Sequence, residues 1–166
     1  NGHESGSIEG QVLQIFADAY TPVVDSSAIP TGEIASVEGT PMDFRTEKQI
    51  GQDIRADFEQ LHFTGGYDHN YVLGRSGEKK IMANAYCRES GIALEAATDC
   101  CGVQFYAGNF IGEQTGKGGA AYHDRSAFCL ESQFYPNAVN EPDFPSPVVK
   151  AGDTYHTETS YRFYLR

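Results

Sequence analysis

Two short segments of the sequence combine acidic side chains with other polar groups beside apolar residues that could hold them rigidly. The first is GYDHN at residues 66–70, which stands directly ahead of an apolar Tyr-Val-Leu triplet. The second is FCLESQ at residues 128–133, where a glutamate interrupts an apolar run. Carboxylates and imidazoles are common proton-transfer groups in enzymes. Both segments are therefore candidates for acid–base chemistry.

Each segment also has an ordinary structural explanation. Asp68 and Asn70 could form an Asx-type turn that opens a strand. Glu131 could face solvent or pair with an arginine. A carboxylate is costly to bury unless it is paired or useful, and one held in an apolar setting is suited to act as a general base near neutral pH. Alternation alone does not decide which face of its strand Glu131 occupies.

The remaining histidines carry less information. They are His3 in a polar leader, His62 after a helical pattern, His123 beside an Asp-Arg pair, and His156 near the C-terminus. We expect each of them to be structural or solvated rather than catalytic.

Alternating apolar and polar residues predict many short strands separated by turn residues. The predicted strands are residues 11–18, 33–37, 71–73, 80–87, 92–97, 103–106, 127–133 and 155–166. The strands from residue 71 onward are expected to form an antiparallel meander. The last segment alternates most regularly, with Tyr161, Phe163 and Leu165 on one face and Arg162 on the other. Many short strands of this kind predict an all-β sandwich or barrel.

One helix is expected at residues 47–59, where Ile50, Ile54 and Phe58 recur every four residues, and we expect it to lie over a sheet edge. The glycine-rich residues 112–119 are expected to form an exposed loop. They lack the GxxxxGK[ST] string of a phosphate-binding loop.

Composition excludes several classes of partner. The chain has 23 acidic and 12 basic residues, a formal net charge of −11, which would repel nucleic acid and anionic lipid headgroups. No apolar run approaches the roughly 18 residues that a bilayer-spanning helix needs. The cysteines, at positions 87, 100, 101 and 129, form no CxxC pair. We therefore expect no metal site, reduced thiols and a cytoplasmic location.

Several segments, taken in order, resemble the aldose 1-epimerase (galactose mutarotase) family. They are ADAYTPV at 17–23, IPTGEI at 29–34, GTPMDFR at 39–45, GYDHN at 66–70, GVQFYAGNF at 102–110, FCLESQ at 128–133, YPNAVN at 135–140 and FPSP at 144–147. The corresponding family motifs include G[FY]DHN, GVQFYTGNF and CLETQ. The resemblance extends over nearly all of the chain but only about half of the family's length.

The resemblance implies a galactose-mutarotase-like antiparallel β-supersandwich, of which residues 1–166 would be one C-terminal β-sandwich portion. The activity it implies is interconversion of the α and β anomers of a free hexose, galactose or glucose, without metal, nucleotide or other cofactor. It also implies a cleft on one sheet that holds the sugar.

Residue roles follow from the matched motifs. The resemblance makes Glu131 the general base that takes the proton of the anomeric hydroxyl. It makes Asp68 and Gln104 hydrogen-bonding partners of sugar hydroxyls. His69 and Asn70 are expected to shape the turn before the strand. Phe105 or Tyr106 could stack on the sugar, although core packing is the favoured use of both.

The family's acid, a histidine in an HxYFNL segment, has no match in these residues. Residues 1–3 resemble the stretch that follows that motif, and His3 does not match the acid. We therefore expect a fragment or one part of a split enzyme, completed by an N-terminal half or a second chain. Alone, such a chain would have little or no activity.

Two other functions stay open at this stage. Asp68 and Glu131 could be the paired carboxylates of a glycoside hydrolase. The chain could instead be a non-catalytic sugar-binding sandwich that uses Asp68, Gln104 and Glu131 as hydroxyl ligands. Hydrolysis of an aryl glycoside would support the first alternative, and sugar binding without turnover the second.

Overall fold

The computed structural model describes Gly2 and residues 5–166, so His3 lies outside the described residues. The regular secondary structure of the described part consists mostly of short strands. In chain order they are β1 (Val12–Ile15), β2 (Ala19–Tyr20), β3 (Ala35–Ser36), β4 (Lys48–Gln49), β5 (Asp68–Val72), β6 (Lys80–Tyr86), β7 (Ile92–Thr98), β8 (Gly102–Tyr106), β9 (Gln114–Thr115), β10 (Ala121–Tyr122), β11 (Cys129–Gln133) and β12 (Thr159–Leu165). The helix α1 spans Glu59–Thr64, and 3₁₀ turns lie at Ile8–Gly10 and Lys117–Gly119.

Ten of these strands form two five-stranded antiparallel sheets. The first sheet has the order β12-β7-β6-β1-β4, and the second has the order β11-β8-β5-β2-β3. Strands β9 and β10 form a separate small hairpin. The predicted all-β class with antiparallel sheets is confirmed.

The core lies between the two sheets and is centred on aromatic rings. Phe44, Tyr67 and Phe105 are fully buried, and their ring centroids lie 5.0 to 5.5 Å apart. Burial of a side chain of this size stabilises the fold by roughly 1.5–3 kcal/mol. The rings anchor β8 of the second sheet, the sheet that carries the candidate site.

The predicted helix at residues 47–59 is wrong. This stretch contains β4 and a series of turns, and α1 begins only at its last residue. Ile50 and Ile54 are nevertheless buried in the core, so their spacing reflects tertiary packing of an irregular segment. The real helix ends where Gly65 adopts a left-handed conformation with φ of 66°. No helix in the described part of the chain is long and apolar enough to cross a membrane.

The predicted meander is also wrong in part. Strands β6 and β7 do form an antiparallel pair in the first sheet, but β5 pairs with β2 and β8 in the second. Strand β5 begins at Asp68 rather than at residue 71, so the GYDHN segment contributes most of the strand. The glycine-rich stretch is largely exposed as expected, with the β9–β10 hairpin inside it.

The last strand is shorter than predicted, because β12 begins at Thr159 rather than at residue 155. Tyr161, Phe163 and Leu165 share one side of it, yet they are 49%, 69% and 80% exposed. Tyr161 and Phe163 are in register with Ala96 and Leu94 of β7, whose side chains face the core. These apolar residues are exposed because the second sheet ends at β11.

The two edge strands β11 and β12 lie side by side, since the Tyr161 hydroxyl donates to the Leu130 carbonyl at 2.7 Å. We call the exposed side of Tyr161, Phe163 and Leu165, together with the free edge of β11, the open flank.

Candidate active site

Three neighbouring strands of the second sheet bring the predicted site residues together. Gln104 on β8 is in register with Asn70 on β5 and with Glu131 on β11. Asp68 lies two residues before Asn70, opposite Tyr106, and residues two apart on a strand share a face. Asp68, Gln104 and Glu131 therefore lie on one face of three adjacent strands.

Alternation along the strands explains why this face is the one directed away from the core. Val103 and Phe105 flank Gln104 and are fully buried between the sheets. Leu130 is likewise buried beside Glu131. Phe105 is thus a core residue, as expected. Core packing was also expected of Tyr106, but Tyr106 is opposite Asp68 on the site face, and its hydroxyl accepts from the Phe110 amide.

A chain of side-chain hydrogen bonds crosses the three strands. The Gln133 amide nitrogen donates to Gln104 Oε1 at 2.9 Å and to Asn70 Oδ1 at 3.1 Å. Gln104 Nε2 in turn donates to Asp68 Oδ1 at 2.8 Å. Our sequence reasoning missed Gln133. Its signal was available, because Gln133 stands two residues after Glu131 and so shares its face.

Asp68 occupies a partly desolvated position. Burial raises the pKa of its carboxyl, and the hydrogen bond from Gln104 opposes that rise by stabilising the ionised form. Burial has the larger effect. The carboxylate is therefore held at a defined place by Gln104 while part of it stays accessible.

Glu131 is exposed on the edge strand β11, so it is not buried in an apolar run. Beside it, a cleft of about 620 Å³ opens between β11 and the first sheet. The cleft is lined by Leu94, Phe128, Cys129, Leu130, Glu131, Ser132, Thr159 and Tyr161. Glu131 supplies the carboxylate of that lining, and it lies where the open flank begins.

His69 and Asn70 do not shape a turn, because both lie inside β5. His69 is fully buried on the core face, with its ring edge-on to Tyr20 at 5.9 Å. Burial lowers the pKa of His69 to about 4, so the ring is neutral at physiological pH. The imidazole cannot reach a molecule bound on the opposite face beside Glu131.

Comparisons of sequence identify the family of the chain. The family model described as Aldose 1-epimerase matches residues 1–162. Galactose mutarotase of Sus scrofa is 44% identical over 163 residues, which is 98% of this chain and 46% of the pig protein. Aldose 1-epimerase of Escherichia coli K12 is 36% identical, with 96% of this chain and 46% of that protein covered. The chain thus spans about half the length of these relatives.

Solved structures give the same result at the level of the fold. An aldose epimerase homologue from C. elegans superposes with a TM-score of 0.81 at 28% identity, over 99% of this chain and 49% of the other. Galactose 1-epimerase from Lactobacillus acidophilus, at 24% identity, superposes with a TM-score of 0.70 over 96% of this chain and 45% of the other, which shows the shared fold alone. With a family model that matches nearly the whole chain and relatives up to 44% identical, the chain belongs to the aldose 1-epimerase family.

Proposed function

We propose that this chain supplies the base-bearing portion of an aldose 1-epimerase that interconverts the anomers of a free hexose, galactose or glucose. The observation that carries the proposal is the common face of β5, β8 and β11. There a carboxylate at an open cleft, Glu131, adjoins the hydrogen-bonded pair of Asp68 and Gln104. One proton acceptor next to several hydroxyl-binding groups is the arrangement that sugar ring opening requires.

The chemistry assigns a separate role to each group. Glu131 takes the proton from the C1 hydroxyl while an acid donates a proton to the ring oxygen, so that the C1–O5 bond breaks and an aldehyde forms. Rotation about C1–C2 and reclosure with the two proton transfers reversed give the other anomer. Asp68 and Gln104 hold sugar hydroxyls and keep the anomeric carbon near Glu131.

The acid is proposed to come from a companion, the N-terminal half of the family fold. His69 is the histidine of the site segments, and it lies on the core face. The open flank is the surface that such a companion would cover, since it carries exposed apolar side chains beside the free edge of β11. Residues 1–166 would then be one β-sandwich portion of a larger supersandwich.

A cytoplasmic location is part of the proposal. Cys100, Cys101 and Cys129 are free thiols, and free thiols persist in reducing compartments. Cys129 is exposed and lies two residues from Glu131, so a reducing compartment would keep a thiol beside the candidate base reduced.

The test is polarimetry of freshly dissolved α-D-galactose. We would compare the chain alone with a chimera in which it replaces the matched 163 residues of pig galactose mutarotase. We expect the chimera to accelerate mutarotation and the chain alone to have little effect. Glu131→Gln in the chimera should reduce the rate at least a hundredfold, the order of effect of general-base catalysis.

Glu95→Gln is the matched control, because Glu95 is a partly exposed strand glutamate of the first sheet. A chimera that binds galactose without accelerating mutarotation would indicate a sugar-binding protein. Hydrolysis of an aryl galactoside would indicate a glycosidase. Full activity of Glu131→Gln would remove Glu131 from the mechanism.

A further inference from the structure

We propose that Gln133 is a positioning residue that sets the direction of the hydrogen bonds across the site and thereby fixes which atoms Asp68 and Gln104 offer to a ligand. In the network, Gln133 bonds to Gln104 and Asn70 and not to Asp68 itself. Its effect on Asp68 must pass through Gln104, whose amide lies between them.

The direction of the hydrogen bonds follows from which atoms of each side chain can donate and which can only accept. A primary amide has two N–H donors, and Gln133 uses its nitrogen on two carbonyl oxygens, Gln104 Oε1 and Asn70 Oδ1. Because Gln104 must then accept with its oxygen, its nitrogen is turned toward Asp68. An ionised carboxylate can only accept, so donors and acceptors match from Gln133 to Asp68, while Asn70 Nδ2 at the other end is buried without a hydrogen-bond partner among the described residues.

The reverse direction is chemically defined as well. If the Gln104, Gln133 and Asn70 amides all turned over, Gln104 Oε1 would face Asp68 Oδ1, and that contact would need a protonated Asp68 as donor. Gln133 Oε1 would accept from Asn70 Nδ2, which in the observed direction has no hydrogen-bond partner in the described part of the chain. Gln104 would then donate to Gln133. The network therefore has two self-consistent states, and the ionisation of Asp68 distinguishes them.

Close packing keeps the amides at these positions. A Cβ on Gly102 would lie 2.3 Å from Asn70 Oδ1 and 3.0 Å from the Tyr135 ring, so glycine is required for this approach. Asn70 is thereby held against Gln133 with only 2% of its surface exposed. A side chain held this firmly can fix the orientation of a neighbour.

The consequence for binding rests on the proposed function. In the observed direction, Gln104 keeps one N–H and Asp68 keeps Oδ2 for a ligand, so the pair presents one donor next to one acceptor. Adjacent hydroxyls of a hexose can accept from the first and donate to the second. Reversal would place the Gln104 carbonyl toward Asp68 and abolish this match.

A measurement of the ionisation of Asp68 tests the proposal without any sugar. In the full chain, labelled with ¹³C at aspartate, the carboxyl signal of Asp68 is followed against pH in Gln133→Met and Gln133→Glu variants. A glutamate at 133 can only accept, so Gln104 should turn its nitrogen toward it and its oxygen toward Asp68. We expect the pKa of Asp68 to rise by about one unit, a tenfold change in proton affinity, and to rise less with Gln133→Met.

Gln133→Glu also adds a negative charge, which could raise the pKa of Asp68 directly. Other titrating groups around Asp68 could influence its pKa as well, so a control is required. Tyr106 and Cys129 occupy the same cross-strand row as Asp68, and Glu131 lies in the next. The control repeats Gln133→Glu in a Gln104→Met background, which lacks the amide between residue 133 and Asp68. The three titrating neighbours of Asp68 are the same in both backgrounds. If Gln104 transmits the effect, the rise should fall to less than half there.

Two outcomes of the titration would overturn the proposal. One is a rise that persists undiminished in the Gln104→Met background, which would mean a direct charge effect. The other is an Asp68 titration that is the same in the parent, Gln133→Met and Gln133→Glu chains. Neither readout depends on epimerase activity, so failure of the proposed function would be seen separately.

In the chimera, the same variants should raise KM for galactose severalfold with little change in kcat. That split is expected for a residue that orients binding groups and takes no part in proton transfer. A fall in kcat at unchanged KM would contradict the role assigned to Gln133.

Discussion

The imidazole of His69 lies between the two sheets with no exposure to solvent, and this burial links the stability of the fold to pH. The pKa of His69 is lowered to about 4, whereas an unfolded chain would have a value near 6.5. As the pH falls below 6.5, the unfolded chain takes up a proton that the folded chain refuses until about pH 4. Stability is therefore complete above about 6.5 and decreases as the pH falls toward 4, by roughly 3 kcal/mol in total.

We expect His69→Gln, which is neutral at every pH, to lessen the loss of stability on acidification. Urea unfolding at pH 7.5 and at pH 4.5 measures this as the change in the free energy of unfolding between the two conditions. His62→Gln, at an exposed position, serves as the control and should keep the parent's pH dependence. Equal acid sensitivity of His69→Gln and the parent would show that His69 is not buried as a neutral ring.

Among the structural elements, β8 lies between the strands that carry Asn70 and Gln133, and Gly102 at its start leaves room for these two side chains to meet. An added methyl group would overlap Asn70 Oδ1 and the Tyr135 ring, and both neighbours are buried. We expect Gly102→Ala to destabilise the fold by about 1–3 kcal/mol, the usual cost of overpacking. Urea unfolding of the variant and the parent measures this difference in the free energy of unfolding.

Gly10→Ala is the matched control, because a methyl group there meets nothing within 4 Å and Gly10 has no positive φ. The control should change stability by no more than about 0.5 kcal/mol. If the two variants are equally stable, the close approach at Gly102 is not a constraint.

The elements also show what the sequence could predict. Strands β6, β7 and β8 were predicted to within a residue, because alternation records which side chains meet the core. The prediction of a helix at residues 47–59 failed because Ile50 and Ile54 enter the core from an irregular segment. A four-residue spacing of apolar residues does not distinguish such a segment from a helix. The real helix has six residues, fewer than two turns, which leaves too little periodicity to detect.

For the candidate site, family motifs named residues, whereas the arrangement of those residues was harder to predict because it depends on geometry. Asp68, Gln104 and Glu131 were identified from motifs, and their common face follows from strand register. The position of His69 on the core face was not predicted, because its segment was taken as a turn and a turn has no alternation. Gln133 was overlooked since an amide carries no chemistry by itself, and its role depends on its neighbours.

Considered as a whole, the described part of the chain carries a row of exposed apolar side chains on β12, which form the open flank together with the free edge of β11. Alternation predicted that Tyr161, Phe163 and Leu165 share a face, but a sequence pattern does not record whether that face is covered. Exposed apolar patches of this kind are typical of surfaces that bind another protein. Since the chain spans about half of its relatives, the companion proposed for the open flank is the N-terminal half of the family fold.

Charge on the open flank should therefore prevent assembly without unfolding the chain. We expect Phe163→Glu to weaken binding of the N-terminal half of pig galactose mutarotase at least tenfold, as measured by isothermal titration calorimetry, because the exposed ring is replaced by a charge that would be costly to bury.

Val24→Glu is the control. Val24 is an exposed apolar residue of the turn between β2 and β3, at the opposite edge of the second sheet, and its substitution should leave the affinity unchanged. Equal weakening by both variants, or no binding by the parent chain, would count against the open flank as the assembly surface and would leave the acid of the proposed mechanism without a source.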